Sequence, residues 1–100
     1  PNFVHSMDAS ALMTCVNIAW DNGIEAVTTI HDAYGTVAAD MDTLSACIRE
    51  AFIQTYQQPV LEQFREACRQ ASATNAKLPD LPAFGGLDLE KIRDGNYFFA

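Results

Sequence analysis

The first 48 residues of this chain contain no lysine or arginine. The six basic residues all lie later, at Arg49, Arg65, Arg69, Lys77, Lys91 and Arg93, and the formal net charge is −7. Because cations neutralise the phosphate backbone, this balance argues against a chain that binds nucleic acid by itself. The acidic first half is compatible instead with a surface that meets metal ions.

Histidine and cysteine are scarce as well. The chain has two histidines, an odd number of cysteines (three) and no Cys-x-x-Cys, so a zinc site is not expected. Cys15, Cys47 and Cys68 are predicted to be small core residues of a reduced, cytosolic protein. No apolar run is long enough to cross a bilayer and no signal peptide is seen, so no membrane partner is expected. A start at Pro1 suggests a fragment of a longer protein.

Hydrophobic residues make up 49% of 100 positions, which is typical of one globular domain with a modest core. Apolar spacing of three and four residues predicts three main helices after a loop at the N-terminus. The first helix is predicted from Ala9 to Trp20 or Asn22, with Asp8 as its N-cap, and the second from Asp40 to about Gln57. The third starts at Pro59 and carries a stripe of buried apolar residues from Leu61 to Ala71, after which the chain becomes polar. A short helix is predicted over Asp88 to Arg93.

A β-hairpin is predicted between the first two helices. β-Branched residues favour strands at Ala26 to Ile30 and Tyr34 to Val37, and His31-Asp32 is expected at the turn between them, with Gly35 giving conformational freedom as the second strand begins. The resulting fold class is α+β, a small antiparallel β-hairpin packed against several α-helices. Since two strands alone are marginal, a third is expected from elsewhere.

The His31-Asp32 pair supports two interpretations. In the first, Asp32 only stabilises the turn and His31 is a surface residue. In the second, the hairpin tip presents a carboxylate to a metal ion or a substrate. A turn of this kind does not decide between them by itself.

The surrounding residues resemble a known family. Ile30-His31-Asp32-Ala33-Tyr34-Gly35-Thr36 is similar to the third palm motif of the single-subunit, phage-type RNA polymerases, although Ala33 and Tyr34 replace the commoner Ser and Phe. Further likenesses follow in the same order over the whole chain. They are Pro1-Asn2-Phe3-Val4-His5-Ser6-Met7-Asp8, Gly23-Ile24-Glu25, Ala39-Asp40, Arg49-Glu50, Leu78-Pro79, Leu81-Pro82, Gly86-Leu87-Asp88-Leu89 and the ending Phe98-Phe99-Ala100.

The resemblance implies that residues 1–100 are the C-terminal part of a polymerase palm, with the hairpin at 25–38 and bracing helices and a tail at 40–100. It implies that Asp32 is catalytic and binds Mg²⁺ in a two-metal site, which stabilises the attacking and leaving oxygens of nucleotidyl transfer. The second metal-binding Asp, and the Lys and Tyr that handle the nucleotide, lie outside this chain.

The resemblance also suggests neighbours for that site, each with a structural alternative. His5 would contact the minor groove near the growing end, or be a buried or capping histidine. His31 would position the hairpin or touch the primer strand, or be purely structural. Phe98, Phe99 and the Ala100 carboxylate would approach the active site, or form a frayed end. Tyr34 is assigned to packing, and Asp8 to capping rather than metal binding.

The implied function is DNA-directed RNA synthesis by the parent enzyme, with DNA template, RNA product and ribonucleoside triphosphates as partners, in the cytoplasm of an infected bacterial host. The remainder of the polymerase chain would cover this piece. The isolated 100 residues are expected to be inactive and to self-associate. The competing hypothesis is a free-standing, non-enzymatic α+β interaction module.

Overall fold

The computed structural model describes residues 1–72 and 77–98. These residues contain three α-helices, one two-stranded antiparallel sheet and short 3-10 helices at Ala38–Asp40 and Leu89–Asp94. The elements are α1 (Asn2–Asp21), β1 (Val27–Ile30), β2 (Ala33–Thr36), α2 (Met41–Tyr56) and α3 (Val60–Ala71). This arrangement confirms the α+β prediction. Within the described residues the sheet has two strands, so the expected third strand is not found there.

The first helix starts seven residues earlier than predicted, at Asn2. Asp8 is therefore inside α1, and its predicted capping role is wrong. The early turns are held by a contact that sequence periodicity does not reveal: the Phe3 ring packs on the Phe64 ring with 4.4 Å between centroids. The Ser6 hydroxyl also donates to the Phe3 carbonyl at 2.6 Å, which gives a local polar side chain a partner within the helix.

The end of α1 confirms the Asn22-Gly23 stop signal. Gly23 has a φ of +83°, a left-handed conformation that glycine adopts without a Cβ penalty. Its N–H donates to Trp20 O at 2.9 Å, and the Ile24 N–H donates to Ala19 O at 3.0 Å. These two bonds form a Schellman motif, and they turn the chain so that Ile24 enters the core at 2% exposure.

The core lies between α1 and α2 and is closed at one end by the chain entering the hairpin. It consists of Cys15, Ala19, Ile24, Leu44, Cys47 and Ala51, with Ile18, Val27, Tyr34 and Ile48 packed around it. Cys15 and Cys47 are buried free thiols as predicted, whereas Cys68 is only half-buried. Because Tyr34 and Val27 pack on this cluster, the core fixes the hairpin relative to both helices.

The third helix departs most from prediction. Val60–Ala71 is helical, but none of its residues is buried, and Phe64 keeps 48% of its surface exposed. The predicted apolar stripe therefore exists as a pattern, yet within the described residues little of the chain covers it. Amphipathic spacing shows that a helix has an apolar face and does not show what packs on that face.

Asp40 precedes α2 as predicted, but its side chain forms no capping hydrogen bond. Instead the 3-10 turn at Ala38–Asp40 leads directly into the helix, with the Asp40 N–H donating to Val37 O at 2.9 Å.

The predicted short helix near the C-terminus is a 3-10 helix at Leu89–Asp94, and the Asp88 side chain caps it by accepting from the Glu90 N–H at 3.1 Å. Among the described residues, no helix is both long and apolar enough to cross a membrane.

Candidate active site

The hairpin turns through two residues, His31 and Asp32, because Ile30 pairs directly with Ala33. His31 has a φ of +55°, a region that non-glycine residues seldom adopt, although histidine is among the more tolerant ones. A left-handed residue in a two-residue loop matches the right-handed twist of the strands. The predicted position of His31 and Asp32 at the tip is thus confirmed, with both side chains exposed.

Gly35 has a different role from the predicted one. Its φ is not positive, so it gives no special backbone freedom here. It pairs with Thr28 across the hairpin, and a Cβ at Gly35 would lie 2.9 Å from Thr28 Cγ2. Glycine is required because the opposite side chain occupies the space that a Cβ would need. The base of the hairpin is further closed by the Thr36 hydroxyl, which donates to Ala26 O at 2.6 Å.

Two grooves flank the hairpin tip, and Asp32 and Tyr34 line both of them. The histidine groove, of about 900 Å³, lies between the hairpin and helices α1 and α2. Its polar lining consists of His5, Asp8, His31, Asp32, Tyr34 and Tyr56. The structure thus brings His5, more than twenty residues away in sequence, to the same groove as the His31-Asp32 pair.

The histidine groove favours cations. Its described lining contains two carboxylates, from Asp8 and Asp32, and no lysine or arginine. Burial, and then the charge and hydrogen bond of Asp8, raise the pKa of Tyr56 above its ordinary value. The Tyr56 hydroxyl therefore stays protonated at neutral pH and donates to the Asp8 carboxylate, which orients that carboxylate in the groove wall.

Tyr34 lines both grooves and is influenced by both carboxylates. Burial raises the pKa of its phenol most, followed by the nearby Cys15 thiol and the charges of Asp32 and Asp8. A phenol in such surroundings stays protonated and can act as a hydrogen-bond donor at the wall shared by the two grooves. The packing predicted for Tyr34 is also present, since its ring lies against the core cluster.

The described residues do not form a complete metal site. Among residues 1–72 and 77–98, no group of three or more His, Cys, Asp and Glu side chains converges to hold a metal ion. Mg²⁺ is commonly bound by one or two carboxylates together with water and substrate phosphates. An exposed Asp32 at a hairpin tip fits the role of one such carboxylate, and a second ligand would have to come from another segment.

The tail groove, of about 430 Å³, lies on the other side of the hairpin. It is lined by Asp32, Tyr34, Ser45, Arg49, Asn96 and Phe98, among others. Phe98 packs edge-on against Phe52, with 5.0 Å between ring centroids, and the Arg49 guanidinium lies 5.7 Å from the Phe98 ring centre. The structure therefore places Phe98 beside the hairpin, while Phe99 and Ala100 lie outside the described residues.

Sequence reasoning missed Tyr56 and Arg49 as lining residues. The signal for Tyr56 was its position four residues after Phe52, since residues four apart share a helix face, and the two rings indeed lie 4.4 Å apart. Arg49 is the first basic residue of the chain. Its place in the tail groove depends on contacts with the C-terminal segment, which local sequence does not indicate.

Comparison with known proteins places these features in a family. Residues 1–78 match the family described as DNA-dependent RNA polymerase. Over 99 residues, 99% of this chain, it is 36% identical to DNA-directed RNA polymerase 1A of Nicotiana tabacum and spans 63% of that protein. It is 38% identical over the same length to DNA-directed RNA polymerase 2, chloroplastic/mitochondrial, of Arabidopsis thaliana, where it spans 10% of the relative. No solved structure matches the chain.

These relatives overturn one expectation. The predicted location, the cytoplasm of an infected bacterial host, is wrong, because the matched proteins are plant enzymes named as mitochondrial or chloroplastic, such as DNA-directed RNA polymerase 1, mitochondrial, of Nicotiana sylvestris. Similarity over nearly the whole chain nevertheless leads to one conclusion: the chain belongs to the DNA-dependent RNA polymerase family.

Proposed function

We propose that this chain is the C-terminal palm segment of a DNA-directed RNA polymerase, in which Asp32 binds a catalytic Mg²⁺ ion. The observation that carries the proposal is the position of Asp32 at the tip of a rigidly based hairpin, next to a groove lined by two carboxylates and two histidines. The likeness to proteins named as DNA-directed RNA polymerases, over 99% of this chain, favours this function over a free-standing interaction module.

The chemistry requires a fixed negative charge at this point. When bound, magnesium ions stabilise the attacking and leaving oxygens of nucleotidyl transfer. Asp32 would contribute a hard oxygen ligand, and the hairpin would hold that ligand in place because Tyr34 and Val27 anchor both strands to the core. Preorganisation of this kind stabilises developing charge without reorganisation during the reaction.

The other groove residues would act on the nucleic acid. His5 and His31 line the histidine groove and can donate hydrogen bonds to the primer or the template through their ring nitrogens. Asp8, oriented by Tyr56, adds negative charge without completing a metal site. DNA template, RNA product and ribonucleoside triphosphates are the partners we propose for the parent enzyme, and the names of the relatives point to an organelle as its location.

Local cleavage by Fe²⁺ tests whether the hairpin tip lies at a metal site. Fe²⁺ substituted for Mg²⁺ in the polymerase that carries this segment reduces added hydrogen peroxide to hydroxide and hydroxyl radical, with ascorbate returning Fe³⁺ to Fe²⁺, and the radical cuts the chain near the bound ion. We expect cuts at residues 31–32 and, across the histidine groove, near residues 5–8, all of them suppressed by excess Mg²⁺. Asp32→Asn should remove these cuts, while Asp21→Asn, an exposed carboxylate outside both grooves, should preserve them. Cuts confined to other regions would contradict the proposal.

A further inference from the structure

The C-terminal 3-10 helix is tied to α2 by polar side chains. Arg93 donates twice to one oxygen of Glu50, through Nη2 at 2.8 Å and Nε at 3.1 Å. Arg49 donates to the Ile92 carbonyl, and Gln57 donates to the Glu90 side chain. The hydrogen bond from Arg93, followed by one from Gln54, keeps the pKa of Glu50 below its ordinary value, so Glu50 is ionised at neutral pH.

The segment that follows this attachment reaches the tail groove. Residues 95–98, called here the tail, place Asn96 and Phe98 in the lining that also contains Asp32. Arg49 is the one cation in the described lining of that groove, and it contacts the C-terminal segment twice, at the Ile92 carbonyl of the 3-10 helix and at the Phe98 ring of the tail. The tail and the arginine that contacts it therefore line the same groove as Asp32.

The exposure of the tail varies along its length. Asn96 is exposed and Tyr97 keeps 90% of its surface exposed, whereas the Phe98 ring packs on Phe52. The Glu50 and Arg93 side chains are themselves 36% and 43% exposed. An ion pair with that much solvent contact is screened by salt, so this part of the attachment weakens as the salt concentration rises.

We propose that the Glu50–Arg93 ion pair is a latch that positions the tail, and with it Arg49 and Phe98, against the Asp32 side of the hairpin. The inference rests on the proposed function, since it assigns Glu50 and Arg93 as positioning residues of the same active site. Neither residue touches a reacting atom in this account. Their effect passes through the placement of the tail groove, and it depends on salt.

Charge reversal tests the latch in the polymerase that carries this segment. Glu50→Arg and Arg93→Glu each replace attraction by repulsion, and the double variant restores an opposite pair. Two quantities are measured at low and high salt: hydrogen exchange of peptides covering residues 89–98, and single-turnover nucleotide addition. Each single variant should speed exchange of this segment and slow addition by about two- to fivefold, the range for one exposed ion pair. The double variant should recover both in part, because Arg93 also pairs with Glu90 of its own helix and that pair is not restored. In high salt the wild type should approach the single variants.

The matched control is Glu66→Arg, which breaks the exposed Glu66–Arg69 pair on α3, of similar length at 2.7 Å, and should change neither quantity. Should a single variant misfold by circular dichroism, Glu50→Gln and Arg93→Gln replace it, with smaller effects of the same sign. Unchanged addition in the single variants, while Asp32→Asn abolishes it, would overturn the latch and leave the proposed function intact. Full nucleotide addition by Asp32→Asn would refute the proposed function. The hydrogen exchange of the C-terminal segment would then still show whether the Glu50–Arg93 pair holds the tail.

Discussion

At the scale of single residues, His31 combines an unfavourable backbone with a place at the candidate site. A non-glycine residue in the left-handed region costs on the order of 1–3 kcal/mol, and His31 holds such a conformation with a φ of +55°. Structures usually tolerate this cost where neighbouring contacts or function fix the residue. The side chain lines the histidine groove. The backbone of His31 therefore lowers stability, while we expect its side chain to support activity, and substitutions can separate the two effects.

His31→Gly should therefore stabilise the chain and weaken the enzyme. Removing the Cβ relieves the left-handed strain, and the free energy of unfolding should rise by up to about 1 kcal/mol, measured by urea denaturation. Nucleotide addition by the parent should fall, because the imidazole is lost. His31→Ala is the control, since it removes the imidazole but keeps a Cβ; it should lower addition equally without the gain in stability. Full addition by both variants would show that His31 serves the turn alone.

The buried thiols predict a change in stability at alkaline pH. Burial, and then the neighbouring Cys47, raise the pKa of Cys15 from 9.0 to about 11. Between these values the unfolded chain loses the Cys15 proton and the folded chain keeps it, so stability falls as pH rises from 9 to 11. Urea denaturation across this range should show the fall, and Cys15→Ala should flatten it while costing some stability at neutral pH. A Cys15→Ala profile that declines as steeply would refute this cause.

At the scale of elements, the hairpin was the part best predicted from sequence, because short-range features determine it. β-Branched residues at 27–30 and a turn-tolerant pair at 31–32 lie next to each other, and the observed strands, Val27–Ile30 and Ala33–Thr36, differ from prediction by one residue at three of their four ends. The start of α1 was missed because it is fixed by the contact between Phe3 and Phe64, which lie 61 positions apart in sequence.

Packing between the two strands predicts a rescue. Gly35→Ala would bring a Cβ within 2.9 Å of Thr28 Cγ2, and overpacking of this kind typically costs about 1–3 kcal/mol. Thr28→Ser removes that methyl group, so the double variant should recover most of the loss in a double-mutant cycle measured by urea denaturation. Additive losses in the double variant would mean that the glycine is needed for its backbone rather than for space.

At the scale of the whole molecule, the described residues form part of the proposed site. His31 and Asp32 lie at the hairpin tip, His5 lines the histidine groove and the C-terminal segment lines the tail groove, yet no complete metal site forms among the described residues. The metal-binding role of Asp32 stays a prediction that comes from resemblance alone, since a turn aspartate looks the same in any hairpin. The sequence could not predict the tail groove, which depends on long-range contacts of Arg49 and Arg93 with residues 43 positions away.

The purified 100-residue chain should not synthesise RNA. One hairpin carboxylate cannot by itself assemble two metal ions and a nucleoside triphosphate, and a net charge of −7 should keep DNA binding weak. Primer extension and electrophoretic mobility shift assays on the pure chain measure both. Template-dependent RNA product would contradict the assignment of the missing groups to other segments.

The same chain should also self-associate. Its described surface exposes large apolar side chains, including Phe64 at 48%, Phe84 at 74% and Leu87 at 78%, and apolar surface of this kind tends to find a partner. Analytical ultracentrifugation should show dimers or larger species as concentration rises, and Leu87→Ser, at a side chain that is 78% exposed, should shift the distribution toward monomer. A monomer at every concentration would contradict this prediction.

The most direct test of the central claim is single-turnover nucleotide addition by Asp32→Asn in the polymerase that carries this segment, on a preformed template and RNA primer. Asparagine keeps the size and turn preference of aspartate, so the hairpin should remain folded while the metal-binding charge is lost. We expect the rate to fall by at least about 10²–10³-fold, as for the loss of one preorganised electrostatic group, with little rescue by added Mg²⁺. Asp21→Asn should retain the wild-type rate. If Asp32→Asn kept more than about a tenth of that rate, less than the usual loss for such a group, Asp32 would be only a turn residue.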